Sequence, residues 1–134
     1  MPRLDVDLTK VDLIEGEVTG EVKKIEYQIK TGEKWNNQGT TTVTKDEWLN
    51  AEGSLSRIHF IIAVQGKGNL FTALYFSEPA MPMTKRALAA MGVAFTPQGY
   101  DPDEALGKVV GMSVVVEEPS GFDPRSVVKK FYKA

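Results

Sequence analysis

The 134-residue chain has no cysteine, one histidine and no apolar run longer than a few residues. Without cysteine there can be no disulfide framework, thiolate zinc site, iron–sulfur cluster or cysteine nucleophile. The single imidazole, His59, excludes any site that needs two histidine ligands, and no carboxylate and nucleophile are grouped around it in sequence. A large charge of one sign is missing too. Sixteen basic residues face eighteen acidic ones, a net of −2, which argues against coating duplex DNA by bulk charge. Met1–Lys10 alternates charged and apolar residues and does not resemble a signal peptide, and no segment is long enough to cross a membrane as an apolar helix. Asp5, Asp7 and Asp12 lack the glycine and distal glutamate of a calcium loop, and Gly66-Lys67-Gly68 lacks the hydroxyl residue of a phosphate loop. These absences point to a soluble, cytoplasmic, non-enzymatic protein with no cofactor, no metal and no membrane contact.

What is present suits one domain with a real core: 42% hydrophobic and 25% charged residues at 14.8 kDa. The charge is unevenly spread. Asp5, Asp7, Asp12, Glu15, Glu17 and Glu21 stand against Arg3 and Lys10 in the first 22 positions, leaving 14 basic and 12 acidic residues in the other 112. An acidic arm over residues 1–14 precedes the body over 15–134, in which the stretch after residue 22 is mildly basic at +2. The arm either solubilises the terminus or competes for a basic groove.

Gly16–Lys30 reads as one long strand with a break. Val18, Gly20 and Val22 share one parity and Ile25, Tyr27 and Ile29 the other, which predicts a β-bulge near Lys23–Lys24. Thr31–Ser54 is a long connection, with a short strand at Thr40–Thr44 or a helical turn at Asp46–Asn50 within it. Leu55–Gln65 turns inward Ile58, Phe60, Ile62 and Val64. A glycine hairpin leads to Asn69–Ser77, with Leu70, Leu74 and Phe76 inward. A helix over Met83–Met91 ends at Gly92. Asp101-Pro102-Asp103-Glu104 predicts a capped short helix with a capping-box glutamate. Lys108–Glu118 and Ser126–Lys133 complete the strands. The order predicts a mainly β fold: a five-stranded OB-fold-like barrel with a helix between strands 3 and 4 and a long loop after strand 1.

Aromatic residues beside cations are the most informative constellation. Phe71 and Tyr75 share the outward face of one strand, and Arg57 and His59 the matching face of its hairpin partner. Bases stack on such rings while cations track phosphates. Trp35 and Trp48, the only tryptophans, fall in the long connection with Lys34 nearby; they either meet a ligand or fold back over the barrel end. Lys129 and Tyr132 on the last strand form either a solvated edge or a basic rim.

Gly16–Ile29, Ile58-His59-Phe60-Ile61-Ile62, Lys85–Gly92, Leu106–Gly111 and Val127–Tyr132 together resemble the OB-fold single-stranded-DNA-binding proteins encoded by tailed bacteriophages. The resemblance spans roughly residues 14–132. It implies binding of single strands without sequence preference during phage DNA replication, recombination or repair, in the host cytoplasm, with handover to replication or recombination proteins. The chain departs from that family in ending Lys129-Lys130-Phe131-Tyr132-Lys133-Ala134, where many members carry an acidic partner-recruiting tail. The residues expected to bind nucleic acid are Lys34, Trp35, Trp48, Arg57, His59, Phe71, Tyr75, Lys129 and Tyr132. DNA versus RNA and homo-oligomerisation stay open. The alternative is a β-barrel assembly or structural protein, a virion component or complex subunit, using the same aromatics as a protein interface.

Overall fold

The computed structural model of the chain describes residues 13–36, 38–118, 121 and 123–134. Its organising element is β1 (Gly16–Lys30), which serves two partners in turn. Gly16–Glu21 pairs antiparallel with β5 (Val109–Glu117), and Glu21–Ile29 pairs antiparallel with β3 (Ser56–Val64). Only Glu21 partners both, meeting Val109 on one side and Ala63 on the other.

The handover follows from local sequence. A register shift between Val22 and Lys24 inserts the extra residue that the parity change predicts, so Val18 and Val22 point inward before it and Tyr27 after it. At Gly20 the strand passes so near β3 that a Cβ would lie 2.6 Å from Ile62 Cγ2 and 2.9 Å from the Ala63 carbonyl oxygen. Gly20→Ala should therefore cost about 1–3 kcal/mol by overpacking, seen as a lower urea midpoint at unchanged slope.

The other strands extend this frame. β4 (Gly68–Tyr75) returns along β3, and β6 (Arg125–Lys133) along β5. The short β2 (Thr40–Thr42) pairs with Gln28–Lys30 of β1. The result is a six-stranded antiparallel sheet in the order β4-β3-β1-β5-β6, with β2 on the side of β1. It is curled but not closed by hydrogen bonds. One helical turn, α1 (Lys45–Leu49), follows β2, and α2 (Met81–Ala90) packs against β4 and β6, the two ends of the strand order.

The core lies between the curled sheet and α2. Ile58, Phe60 and Ile62 of β3, Leu70 of β4, Leu88 and the adjoining Met91 of α2, and Val110 and Met112 of β5 are all essentially inaccessible. Each such side chain contributes about 1.5–3 kcal/mol. The end of α2 is a Schellman motif: Val93 N–H donates to the Leu88 carbonyl and Gly92 N–H to the Ala89 carbonyl, with Gly92 at φ 88°. Ile14, assigned above to the arm, is 3% exposed and bonded through its backbone to the Ser126 hydroxyl, so the packed body includes it. The rest of the expected arm, residues 1–12, lies outside the described residues.

Several expectations are corrected. The expected five strands become six, because Thr40–Thr42 does pair with β1, and the helical turn considered as its rival also forms, at Lys45–Leu49. The helix expected from Met83 starts at Met81, since Pro82 fits its first turn, where no amide partner is required. The segment after Asp101 is a 3-10 turn, Pro102–Ala105, and Glu104 accepts from the Ala94 N–H instead of closing a capping box. Strict alternation fails on β6, where the ladder steps from Ser113–Lys130 to Val114–Val128. Lys129 is the extra residue, so Val128 and Phe131 both pack against the core. No helix among the described residues is long and apolar enough to cross a membrane.

Candidate functional site

Three rungs of the β1–β3–β4 ladders build one outward surface. Gln28 lies opposite Arg57, which lies opposite Tyr75. Glu26 meets His59, which meets Ala73. Lys24 meets Ile61, which meets Phe71. Ile61 is only 4% exposed although it stands outside the main core, so the side chains of this face cover their own apolar floor.

The first rung is held rigidly. Arg57 Nε donates to Gln28 Oε1 at 2.7 Å and Nη1 donates to the Tyr75 hydroxyl at 3.2 Å. The same guanidinium lies 4.6 Å from the centre of the Trp35 ring and 5.9 Å from that of Tyr75. The two rings meet edge to face at 5.6 Å. Cation–π contacts of this kind are worth about 0.5–1 kcal/mol at exposed sites and more where water is excluded.

Trp35 reaches this position through the loop that joins β1 to β2. Thr31 N–H and Gly32 N–H both donate to the Gly39 carbonyl, Asn36 N–H donates to the Lys34 carbonyl, and the Asn36 side chain accepts from Gly39 N–H. Lys34 stays exposed beside it.

In the second rung, His59 Nδ1 stands 3.2 Å from Glu26 Oε1, and its ring meets Phe71 edge-on at 5.3 Å. The histidine thus borders a carboxylate and an aromatic ring, with no hydroxyl nucleophile in either contact. Burial lowers its pKa, with Glu26 opposing the shift and Arg57 and Lys24 adding to it. The unfolded chain takes up the proton near pH 6.5 and the folded chain only below that. This group's stabilisation is therefore complete above about pH 6.5 and is lost as pH falls through the folded value. Thermal melts from about pH 7.5 downward should show Tm falling once pH drops below roughly 6.5. In His59→Gln that part of the slope should vanish, while the carboxylate-driven loss at lower pH stays.

The remaining expected residues do not join this surface. Trp48 is 6% exposed and belongs to the core: it packs edge to face on Tyr27 at 5.1 Å and Phe76 at 4.8 Å, and its Nε1 donates to the Arg57 carbonyl at 3.0 Å. It presents no free face, and of the two readings of the tryptophans it takes the folded-back one. Lys129 is paired with Glu117 at 2.7 Å. Tyr132 covers Gly111, where an added Cβ would collide with its ring, and its hydroxyl donates to Glu17. Bonds from Ser113 and Tyr132 lower the Glu17 pKa. Both residues lie on β6, which β1 and β5 separate from β3.

Asp101 and Asp103 hold a cation of the chain itself, Lys45 Nζ, at 2.5 and 2.8 Å. Asp103 also accepts from the Tyr27 hydroxyl, and Lys45 in turn holds the Asp101 carboxyl below its usual range. This knot fastens α1 to the 3-10 turn, and the Thr44–Glu47 capping box fixes its first turn. The long connection is thereby anchored at the N-terminal end of α1, while the buried Trp48 seats the rest of the helix.

Gln28 and Glu26 were missed from sequence. Their signal was the bulge: counting past it places Glu26 and Gln28 on the outer parity beside His59 and Arg57. Concave recesses occur elsewhere, between α2 and β6 around Met83, Arg86, Val128 and Phe131. The aromatic surface is instead an open sheet face, a shape suited to an extended ligand. No protein-family model matches the chain, and no curated protein matches it.

Proposed function

We propose that the protein binds single-stranded nucleic acid, DNA in the first instance, along the outer face of β1, β3 and β4, without requiring a particular sequence. The observation that carries this reading is the Trp35–Arg57–Tyr75 cluster, continuous on one face with His59 and Phe71. Rings offer stacking surfaces to any base, and Arg57, with the exposed Lys34 next to Trp35 and Lys24 farther along the same face, offers cations to the backbone. The architecture on this reading is an OB-fold barrel left open between β4 and β6, with α2 across the opening. The strand order, the bent β1 and the helix between β4 and β5 support it. The resemblance to phage-encoded proteins adds a role in replication or recombination.

Fluorescence titration with oligothymidylate tests the reading. Trp35 emission should be quenched and affinity should fall steeply with salt, while Trp48, sealed in the core, contributes an unquenched remainder. Trp35→Phe should abolish the quenching. Salt-resistant oligomers with no affinity for single strands would instead favour a protein-interface role for the same aromatics.

A further inference from the structure

The middle rung of the aromatic face differs from its neighbours. On β4, Ala73 stands between Phe71 and Tyr75, so a half-buried methyl group separates two rings. The two flanking aromatics are four residues apart, about 13 Å along the strand, which leaves room for one flat base above Ala73. Across the ladder from Ala73 lies His59, and beyond it Glu26.

This rung is rich in acceptors. A carboxylate can only accept, so the contact between Glu26 Oε1 and His59 Nδ1 requires the hydrogen on Nδ1. In a neutral ring that leaves Nε2 as a bare acceptor. Glu26 Oε2 is 3.9 Å from Lys24 Nζ, beyond hydrogen-bond length, and keeps lone pairs for another donor. Phosphates are repelled by such a group, whereas an exocyclic amino group matches it.

We propose that the stretch of sheet face over Ala73 is a base subsite that favours an amino-bearing base edge, such as that of cytosine, through the Glu26 carboxylate and His59 Nε2. The proposal rests on the single-strand reading above and deepens it: stacking admits any base, and this one position ranks them. Uracil and thymine offer these two acceptors only the single N3–H and set the O4 carbonyl against one of them, which costs that pairing.

Oligodeoxycytidine and oligodeoxyuridine of about 20 nucleotides isolate the effect, since the bases differ only at N3 and C4. By fluorescence anisotropy at fixed salt and about pH 7.5, the wild-type protein should bind the cytidine oligomer at least about five-fold more tightly. Glu26→Gln, whose amide can donate to a carbonyl, should bring the two affinities to within about two-fold. Equal wild-type affinities, or a preference that survives in Glu26→Gln, would overturn the subsite. That comparison needs no variant to fold. Failure to bind either oligomer would refute the single-strand reading itself.

Discussion

Trp48→Ala should remove about 3–5 kcal/mol of folding stability, among the larger losses a single substitution causes. The indole is enclosed by Tyr27 and Phe76 and bonded to the Arg57 carbonyl, so truncation leaves a cavity and removes one hydrogen bond to β3. A domain of this size commonly has about 5–15 kcal/mol in total, so the variant should sit near the edge of folding at body temperature. Urea denaturation followed by circular dichroism reads this directly. Trp48→Phe should recover part of the loss by refilling the space. Recovery would be incomplete, because phenylalanine has no N–H to return to Arg57. A change under about 1 kcal/mol for Trp48→Ala would show that the ring is not the anchor of the long connection.

Tyr75→Ala should weaken single-strand binding about 5- to 150-fold, the range expected for the loss of one stacked base. Two losses act together. The ring goes, and Arg57 Nη1 loses the hydroxyl that helps hold the guanidinium over Trp35. Tyr75→Phe separates them: it keeps the stacking face and should stay within a few-fold of wild type. Lys67→Ala, in the exposed hairpin between β3 and β4, should change affinity by no more than about two-fold, since it removes one screened charge. Equal effects of Tyr75→Ala and Lys67→Ala would mean that electrostatics, not stacking, governs the complex. Tyr75 is 37% exposed and lies outside the core, so its replacement should lower Tm by only a few degrees.

Much of the frame was legible because period-two patterning is a local signal. Ile58, Phe60, Ile62 and Val64 alternate cleanly, and all four are buried. The parity break at Lys23–Lys24 was enough to locate the bulge. The site was less legible, for a physical reason. Whether a tryptophan in a loop meets solvent or core depends on contacts far away in sequence. Trp48 was drawn inward by Tyr27 and Phe76 and by the Lys45–Asp101–Asp103 knot that fastens its helix. Trp35 was drawn onto Arg57 and Tyr75. Nothing local distinguishes the two rings. Likewise, outward residues on β6 looked equivalent to those on β3 until strand order placed two strands between them. A bulge at Lys129 then broke the alternation on which the reading of that strand rested.

The divided allegiance of β1 also bears on how the chain finds its fold. The aromatic face is assembled from β1, the loop after it, β3 and β4, all within the first 75 residues, with a tight hairpin between β3 and β4. By contrast, the ladder between β1 and β5 joins positions roughly 90 residues apart, and closing so long a loop costs about 4 kcal/mol of chain entropy before any contact repays it. The aromatic face is therefore carried by the part of the sheet with the shorter-range pairings. The slow, long-range step falls on the β1–β5–β6 part of the sheet.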